Sequence, residues 1–152
     1  MKAVIQRVLS AGVTVAGEEV AAIGPGALIL LGIASADDEM LADKLAKKIA
    51  ELRIFEDDKR RMNRSVLDTR GSLLVVSNFT LYANCSHGRR PEFLSAARPK
   101  KAEPLYQRFV EQLREQGIRE VFTGRFGAEM QVSMIGDGPV TIVLDTDDLV
   151  KK

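Results

Sequence analysis

The chain has 152 residues, a length usual for one domain with a substantial core, so we expect a single domain over residues 1–152. Its 22 basic and 21 acidic side chains nearly balance, which excludes a strongly basic nucleic-acid binder and restricts any RNA contact to a local patch. Apolar runs are too short for a signal peptide or a membrane span, so we expect a cytoplasmic protein without membrane contact.

The counts of cysteine and histidine exclude several kinds of chemistry. Cys85 is the only cysteine and His87 the only histidine, so an intrachain disulfide is impossible and a zinc site lacks its preferred ligands. A Ser-His-Asp arrangement would have to use His87, which has no obvious orienting acid nearby in the sequence. A catalytic His87 and a reactive Cys85 stay open as the less favoured alternatives. We expect no metal and no cofactor.

The first part of the chain predicts strands. Residues 2–8 alternate apolar and polar side chains, and residues 13–15 predict a second strand that turns into a third segment at residues 20–23. Residues 27–33 are nearly all aliphatic and follow a Gly-Pro-Gly stop. Such a short, glycine-bounded apolar run is typical of a central strand rather than a helix.

A helix is predicted next, because Ser35 and Asp38 resemble a capping box ahead of an amphipathic segment. The apolar side chains of that segment recur at helical spacing and form one core-facing stripe, made of Leu41, Leu45, Ile49 and Leu52. Residues 56–71 contain few apolar side chains and several Arg and Lys. They predict a basic loop, which is either solvated or in contact with phosphate.

The most informative stretch runs from Leu73 to Ala83. Four apolar residues predict a strand buried on both faces, and the chain then turns polar without a Gly or Pro. We therefore expect Ser77, Asn78 and Thr80 at a rigid strand end, although such residues also occur at ordinary sheet edges. Residues 87–101 follow, where clustered Arg and Lys alternate with apolar side chains and predict either an RNA contact or a solvated loop.

The last part of the chain predicts a second helix and further strands. Pro104 fits the first turn of the helix and Gly117 its stop, with Leu105, Phe109, Val110 and Leu113 on the apolar face. The other elements are a strand at 118–122, a loop at 123–128, strands at 130–134 and 140–144 around a Gly-Pro turn, and a fraying tail at 145–152. This order implies an α/β fold with a mixed sheet and both helices on one side.

Two motifs give the chain a likeness to a known family. Ser77-Asn78-Phe79-Thr80-Leu81 fits Ser-Gln-x-Thr-Leu with Asn in place of Gln, and Gly136-Asp137-Gly138-Pro139-Val140-Thr141 fits Asn-x-Gly-Pro-x-Thr with Gly in place of Asn. With these motifs, the chain resembles the D-aminoacyl-tRNA deacylase family. The likeness extends in order through residues 3–8, 52–57, 88–91 and 123–128, and so covers nearly the whole length.

The resemblance implies a three-layer α/β fold and hydrolysis of D-aminoacyl groups, and of mischarged glycine, from the 3′ end of tRNA. Ser77, Asn78, Phe79 and Thr80 are then expected to line the pocket. The backbone of Phe79 and Thr80 is expected to bind the carbonyl, with help from the ribose 2′-hydroxyl. Phe126 is expected to contact the terminal adenine, with core packing as the alternative.

The resemblance also implies that Gly138-Pro139 is a cis peptide that reaches into the pocket of a second subunit, which requires a homodimer. Arg7 is expected to help hold that turn, whereas a plain hairpin turn is the alternative for this segment. Arg89 and Arg90 are expected to bind tRNA phosphates. Two other functions remain open: a related aminoacyl-ester hydrolase with shifted specificity, since Asn78 and Gly136 depart from the motifs, and a tRNA-binding module without catalysis.

Overall fold

The computed structural model describes residues 1–151 and contains eight strands and four α-helices in that part of the chain. In chain order they are β1 (Lys2–Val15), β2 (Glu18–Ile23), β3 (Gly26–Gly32), α1 (Glu39–Glu51), β4 (Phe55–Glu56), β5 (Met62–Arg64), α2 (Val66–Thr69), β6 (Ser72–Ser77), α3 (Pro99–Glu115), β7 (Val121–Thr123), β8 (Gln131–Asp145) and α4 (Thr146–Val150). No helix in residues 1–151 has the length and apolar character needed to cross a membrane.

The main sheet is organised around β1. One edge of β1 pairs with β8 over almost its whole length, while the other edge pairs first with β3 and then with β2, all antiparallel. Strand β3 then pairs in parallel with β6, and β6 in parallel with β7. The predicted mixed sheet is confirmed. In this order β8 hydrogen-bonds to β1 alone, so its outer edge is unpaired within residues 1–151.

Strand β6 is the buried strand predicted from its aliphatic run. Residues 72–76 are all buried, because the helices cover one face and the curled halves of β1 and β2 cover the other. Since β3 and β6 run parallel, Leu31 and Ser77 are register partners and the two strands end at the same edge of the sheet. That edge carries the candidate site.

Both long helices lie on one face of the sheet, as predicted. They pack on each other, and Arg108 of α3 joins Asp43 of α1 through two hydrogen bonds of 2.8 and 2.9 Å. The guanidinium lowers the pKa of the Asp43 carboxyl, chiefly through this hydrogen bond. Asp38 itself is the N-cap of α1, because its carboxylate accepts from the Leu41 amide. The predicted pairing of Ser35 with Asp38 as a capping box is therefore wrong.

Several predicted boundaries are corrected. Residues 2–8 and 13–15 belong to one strand, and the strands predicted at 130–134 and 140–144 are parts of one strand, Gln131–Asp145, with no hairpin at Gly138-Pro139. Helix α3 begins at Pro99, so Pro104 lies inside it. The loop expected at residues 56–71 contains β4, β5 and α2, strand β7 begins at Val121 rather than residue 118, and the tail expected to fray contains α4.

Candidate active site

The carboxyl end of β6 places the first motif on a rigid support. Ser77 ends the strand, the Asn78 amide donates to the Leu31 carbonyl at 2.8 Å, and a 3₁₀ turn over Phe79–Tyr82 follows. The chain leaves the sheet at this point because Asn78 is the last residue bonded to β3. Ser77, Asn78, Phe79 and Thr80 therefore follow one another from the end of this strand into the turn.

A cavity of about 560 Å³ opens beside this turn, within the range usual for sites that bind small molecules. It contains three of the four motif residues, but not Thr80, Gly138, Pro139 or Arg7. Most of its lining is apolar. The lining residues are Leu31, Ile33, Ser77, Asn78, Phe79, Phe93, Ala96, Ala97, Arg98, Pro99, Ala102, Phe126, Gly127, Ala128 and Met130.

The polar groups of the turn have a defined arrangement. The Thr80 hydroxyl donates to the Asn78 side-chain oxygen at 2.5 Å, so the shorter amide found in place of Gln is held by its neighbour. The backbone amides of Phe79 and Thr80 donate no hydrogen bond within residues 1–151, and both residues are exposed. Two adjacent free N–H groups, one of them on a residue that lines an apolar cavity, can stabilise a developing oxyanion.

Phe126 both packs on the core and lines the cavity. Its ring lies 5.7 Å from the ring of Tyr106, whose hydroxyl donates to the Val75 carbonyl at 2.7 Å. Burial raises the pKa of Tyr106 to about 12, so this hydroxyl keeps its proton and its hydrogen bond at any physiological pH. Core packing and contact with the terminal adenine, the two roles considered for Phe126, are thus compatible. Its ring is fixed by Tyr106 while part of it stays accessible from the cavity.

The basic segment, residues 87–101, borders the cavity through Phe93. Asn84 and Glu92 exchange backbone hydrogen bonds of 2.8 and 3.0 Å, which close the loop that carries Arg89 and Arg90. Both arginines are exposed. Next to Glu92, the ring of Phe93 meets that of Phe79 edge-on at 5.1 Å, which fixes the loop against the site.

The second motif lies outside the cavity of its own chain. Gly138-Pro139 is a cis peptide, as the resemblance implies, and both residues are exposed on β8. Gly138 has φ +122, and a Cβ there would stand 2.9 Å from the Val140 nitrogen, so a side chain is strained at this position.

Arg7 holds the second motif from beneath, as expected. Its side chain is buried, and its Nε lies 3.3 Å from the Asp137 carbonyl and 3.2 Å from the Asp137 carboxylate. Nη1 donates to the Ile54 carbonyl at 2.9 Å. One guanidinium thus joins the residue before Gly138 to the segment that leads into β4.

A second, open cavity of about 430 Å³ lies between the site and β8. It shares Ser77, Asn78 and Met130 with the first cavity. Its lining is Gln6, Leu28, Leu30, Val76, Ser77, Asn78, Met130, Val132 and Met134. The two cavities are therefore contiguous, and the second is lined by Val132 and Met134 of β8.

The sequence did not assign three of the lining residues to the pocket. Phe93, Arg98 and Met130 line the cavity, yet each lies far along the chain from the motif that they face. His87 and Cys85 are exposed and line neither of these cavities. No group of three or more His, Cys, Asp or Glu occurs in residues 1–151 that could hold a metal ion.

Comparisons with known proteins agree with the geometry. The sequence pattern of the D-Tyr-tRNA(Tyr) deacylase family matches residues 4–145. A protein named D-aminoacyl-tRNA deacylase from Symbiobacterium thermophilum is 54% identical over 147 residues, covering 97% of each chain. Another of that name, from Chloroflexus aurantiacus, is 56% identical over 149 residues, covering 98% of this chain and 92% of that one.

Solved structures share the fold. One named c-Myc DNA Unwinding Element Binding Protein has a TM-score of 0.90 and 44% identity, covering 95% of this chain and 98% of that one. A probable eukaryotic D-amino acid tRNA deacylase has a TM-score of 0.82 at 16% identity, covering 94% of this chain and 97% of that one, which shows a common fold.

Proposed function

The chain belongs to the D-Tyr-tRNA(Tyr) deacylase family and hydrolyses the ester between a D-amino acid and tRNA, and we propose that the turn at residues 77–80 carries out this reaction. The observation that carries the proposal is the pair of free backbone amides at Phe79 and Thr80: Phe79 lines the apolar cavity, and Thr80 follows it on the same exposed turn. The terminal adenosine enters the cavity beside Phe126, and the aminoacyl carbonyl meets the two amides. Because the substrate is aminoacyl-tRNA, we place the enzyme in the cytoplasm.

In this mechanism the protein contributes position and electrostatics rather than a nucleophile. A single oxyanion donor typically contributes about 3 kcal/mol to lowering the barrier, and an aminoacyl ester is already activated. Thr80 donates its hydroxyl proton to a neutral amide, so no base activates it as a nucleophile. The substrate's ribose 2′-hydroxyl then assists the attack of water, and Thr80 positions Asn78.

We propose that the enzyme acts as a homodimer in which Gly138-Pro139 enters the partner's site. Support comes from β8, whose outer edge is unpaired and exposes Val132, Met134 and Ile135. A long apolar edge strand is normally covered, and a two-fold partner can cover it with the same strand. The open cavity beside β8 offers the entry to Ser77 and Asn78.

Selection for D substrates follows from this arrangement. The carbonyls of Gly138 and Pro139 accept a hydrogen bond from the substrate's amino group and fill the space that an L side chain would need. Glycine has no side chain and escapes this rejection, so glycyl-tRNA is also a substrate. The second candidate function is hydrolysis of a related aminoacyl ester with a shifted amino-acid preference. It is kept because Asn78 and Gly136 are the two residues that depart from the family motifs.

The decisive experiment compares the decay of D-Tyr-tRNA, L-Tyr-tRNA and Gly-tRNA with the enzyme. Rapid decay of the D and glycyl esters with a stable L ester supports the proposal. Decay of all three indicates shifted specificity, whereas tRNA binding without any decay indicates a non-catalytic module. Restoring the motif residues by Asn78→Gln and Gly136→Asn then tests the departures. A Cβ at Gly136 meets only the Met134 methyl at 3.7 Å, so asparagine fits there.

The dimer is tested by sedimentation of an edge variant. Ile135→Asp places a charge on the exposed edge of β8 and should give monomers that lose activity. Met40→Asp is the matched control, because Met40 is 57% exposed on α1 and Ile135 is 58% exposed. A wild-type chain that sediments as a monomer and is fully active contradicts the shared site.

A further inference from the structure

The hairpin formed by β4 and β5 is linked to the Gly138-Pro139 segment of β8 through the side chain of Arg7. The buried guanidinium of Arg7 donates to the Ile54 carbonyl, one residue before β4, at 2.9 Å. The same group lies 3.2 Å from the Asp137 carboxylate, directly before Gly138. The hairpin and the Gly138-Pro139 segment are therefore on the same side of the molecule, within one side chain of each other.

The tip of this hairpin, residues 57–61, has a rigid backbone. Asp57 accepts hydrogen bonds from the Lys59 and Arg61 amides at 2.9 and 3.0 Å, and its own amide donates to the Arg61 carbonyl at 2.8 Å. Arg60 between them has φ +59, a left-handed conformation that closes the tip. These hydrogen bonds lower the pKa of Asp57, and the one from the Arg61 amide has the largest effect. The carboxylate therefore stays ionised and bonded.

The hairpin tip displays cations without protein partners. Lys59, Arg60 and Arg61 are exposed, and none of them forms an ion pair within residues 1–151. The same tip carries two acids, Asp57 and Asp58, and the Asp57 carboxylate accepts from backbone amides. Unpaired cations on a fixed backbone are suited to binding phosphates, since such contacts need charge and position but no base sequence.

We propose that the hairpin tip of one subunit binds the phosphates of the tRNA whose 3′ end lies in the partner's pocket. This inference rests on the proposed function: if Gly138-Pro139 enters the partner's site, Arg7 brings the hairpin to the rim of that same site. Each tRNA then contacts Arg89 and Arg90 of the subunit that holds its 3′ end and the hairpin tip of the other. Aminoacyl-tRNA is thus recognised by the dimer, and not by one chain.

The charge contribution is tested with Lys59→Gln, Arg60→Asn and Arg61→Gln combined, where asparagine is chosen because it tolerates the left-handed backbone. The matched control is Lys44→Gln, Lys47→Gln and Lys48→Gln, which removes three exposed charges from α1. The hairpin variant should raise the KM for D-Tyr-tRNA about tenfold and reduce the salt slope of log KM by about 2. Neither variant should change hydrolysis of D-tyrosyl-adenosine, which has no phosphate.

Mixed dimers distinguish the two subunits. Two mixed dimers are prepared, and in each of them one chain carries Ala128→Trp. The tryptophan fills the cavity of that chain, so only the other chain's pocket works. If the hairpin variant is on the chain with the filled cavity, KM should rise. If it is on the chain with the working pocket, KM should stay normal. The reverse pattern, or no change in either dimer, overturns the inference.

Failure of the inference differs from failure of the proposed function. A wild-type dimer that leaves D-Tyr-tRNA intact contradicts the deacylation itself. In that case the same mixed dimers are tested for binding of uncharged tRNA, where the inference expects the dissociation constant to rise about tenfold in the first arrangement only. Equal affinity in the two arrangements overturns the contact between subunits even when the enzyme is active.

Discussion

Arg7→Met removes the group that supports the Gly138-Pro139 segment of β8 while keeping a long apolar stem in the core. The Ile54 carbonyl loses its 2.9 Å partner, and the two contacts to Asp137, at 3.3 and 3.2 Å, are lost as well. A buried acceptor without a partner costs about 1–3 kcal/mol, and breaking a buried ion pair costs about 3–5 kcal/mol. Asp137 is 40% exposed, so water compensates part of its loss, and we expect the lower value, about 3 kcal/mol.

Thermal unfolding measures the cost in stability. For a chain of this size, 1 kcal/mol lowers Tm by about 2–4 °C, so Arg7→Met should lower Tm by about 6–12 °C. Arg53→Met is the control, because this arginine is exposed and bonds only to the Asn63 side chain, at 3.3 Å. We expect it to change Tm by less than about 2 °C.

Selectivity measures the cost in function. With the Gly138-Pro139 segment unsupported, the ratio of kcat/KM for D-Tyr-tRNA to that for L-Tyr-tRNA should fall at least about tenfold, equivalent to about 1.4 kcal/mol, when measured well below the Tm of the variant. Arg7→Lys keeps the charge but not the fork of donors, so it should be intermediate. The reasoning is refuted if Arg7→Met matches Arg53→Met in both Tm and selectivity.

Three further outcomes are expected. Activity should survive EDTA and His87→Ala within about tenfold, and a larger loss on either treatment argues for a metal or a histidine in the reaction. Thr80→Ala should weaken turnover without abolishing it, because the hydroxyl only orients Asn78; an acyl group trapped on Thr80, detected by mass spectrometry, would disprove this. Arg89→Ala combined with Arg90→Ala should raise KM for charged tRNA and flatten its salt dependence, and unchanged values would mean a solvated loop.

The elements with a strong apolar pattern were predictable, and those interrupted by glycine or proline were not. Strand β6 and both long helices follow from their patterns. The sequence predicted two strands in place of β8, because Gly-Pro usually ends a strand. Proline is nevertheless tolerated in a strand with a free edge. Helix α3 begins at Pro99, five residues before the predicted start at Pro104, because Pro99 suits a first helical turn. Residues 99–103 carry little apolar pattern, so the sequence did not indicate this earlier start.

The site divides in the same way. The turn at residues 77–80 was predictable because its residues are adjacent in sequence and follow a buried strand. Phe93, Arg98 and Met130 come from two distant loops, and no periodicity marks them. The contact of Arg7 with Asp137 joins residues 130 positions apart, so only the resemblance suggested it.

The free amides of the turn are a consequence of the sheet rather than of a special loop. Strand β3 ends at Gly32, and its Leu31 carbonyl accepts from Asn78, so the ladder has no acceptor left for Phe79 or Thr80. A Cβ at Gly32 would stand 2.9 Å from the Leu81 Cβ and 3.1 Å from the Asn78 carbonyl oxygen, so the turn packs directly on this glycine. Gly32→Ala should therefore displace the 3₁₀ turn and lower kcat for D-Tyr-tRNA more than it raises KM. If Gly32→Ala keeps kcat while its crystal structure shows the turn displaced, the amides do not form the oxyanion site.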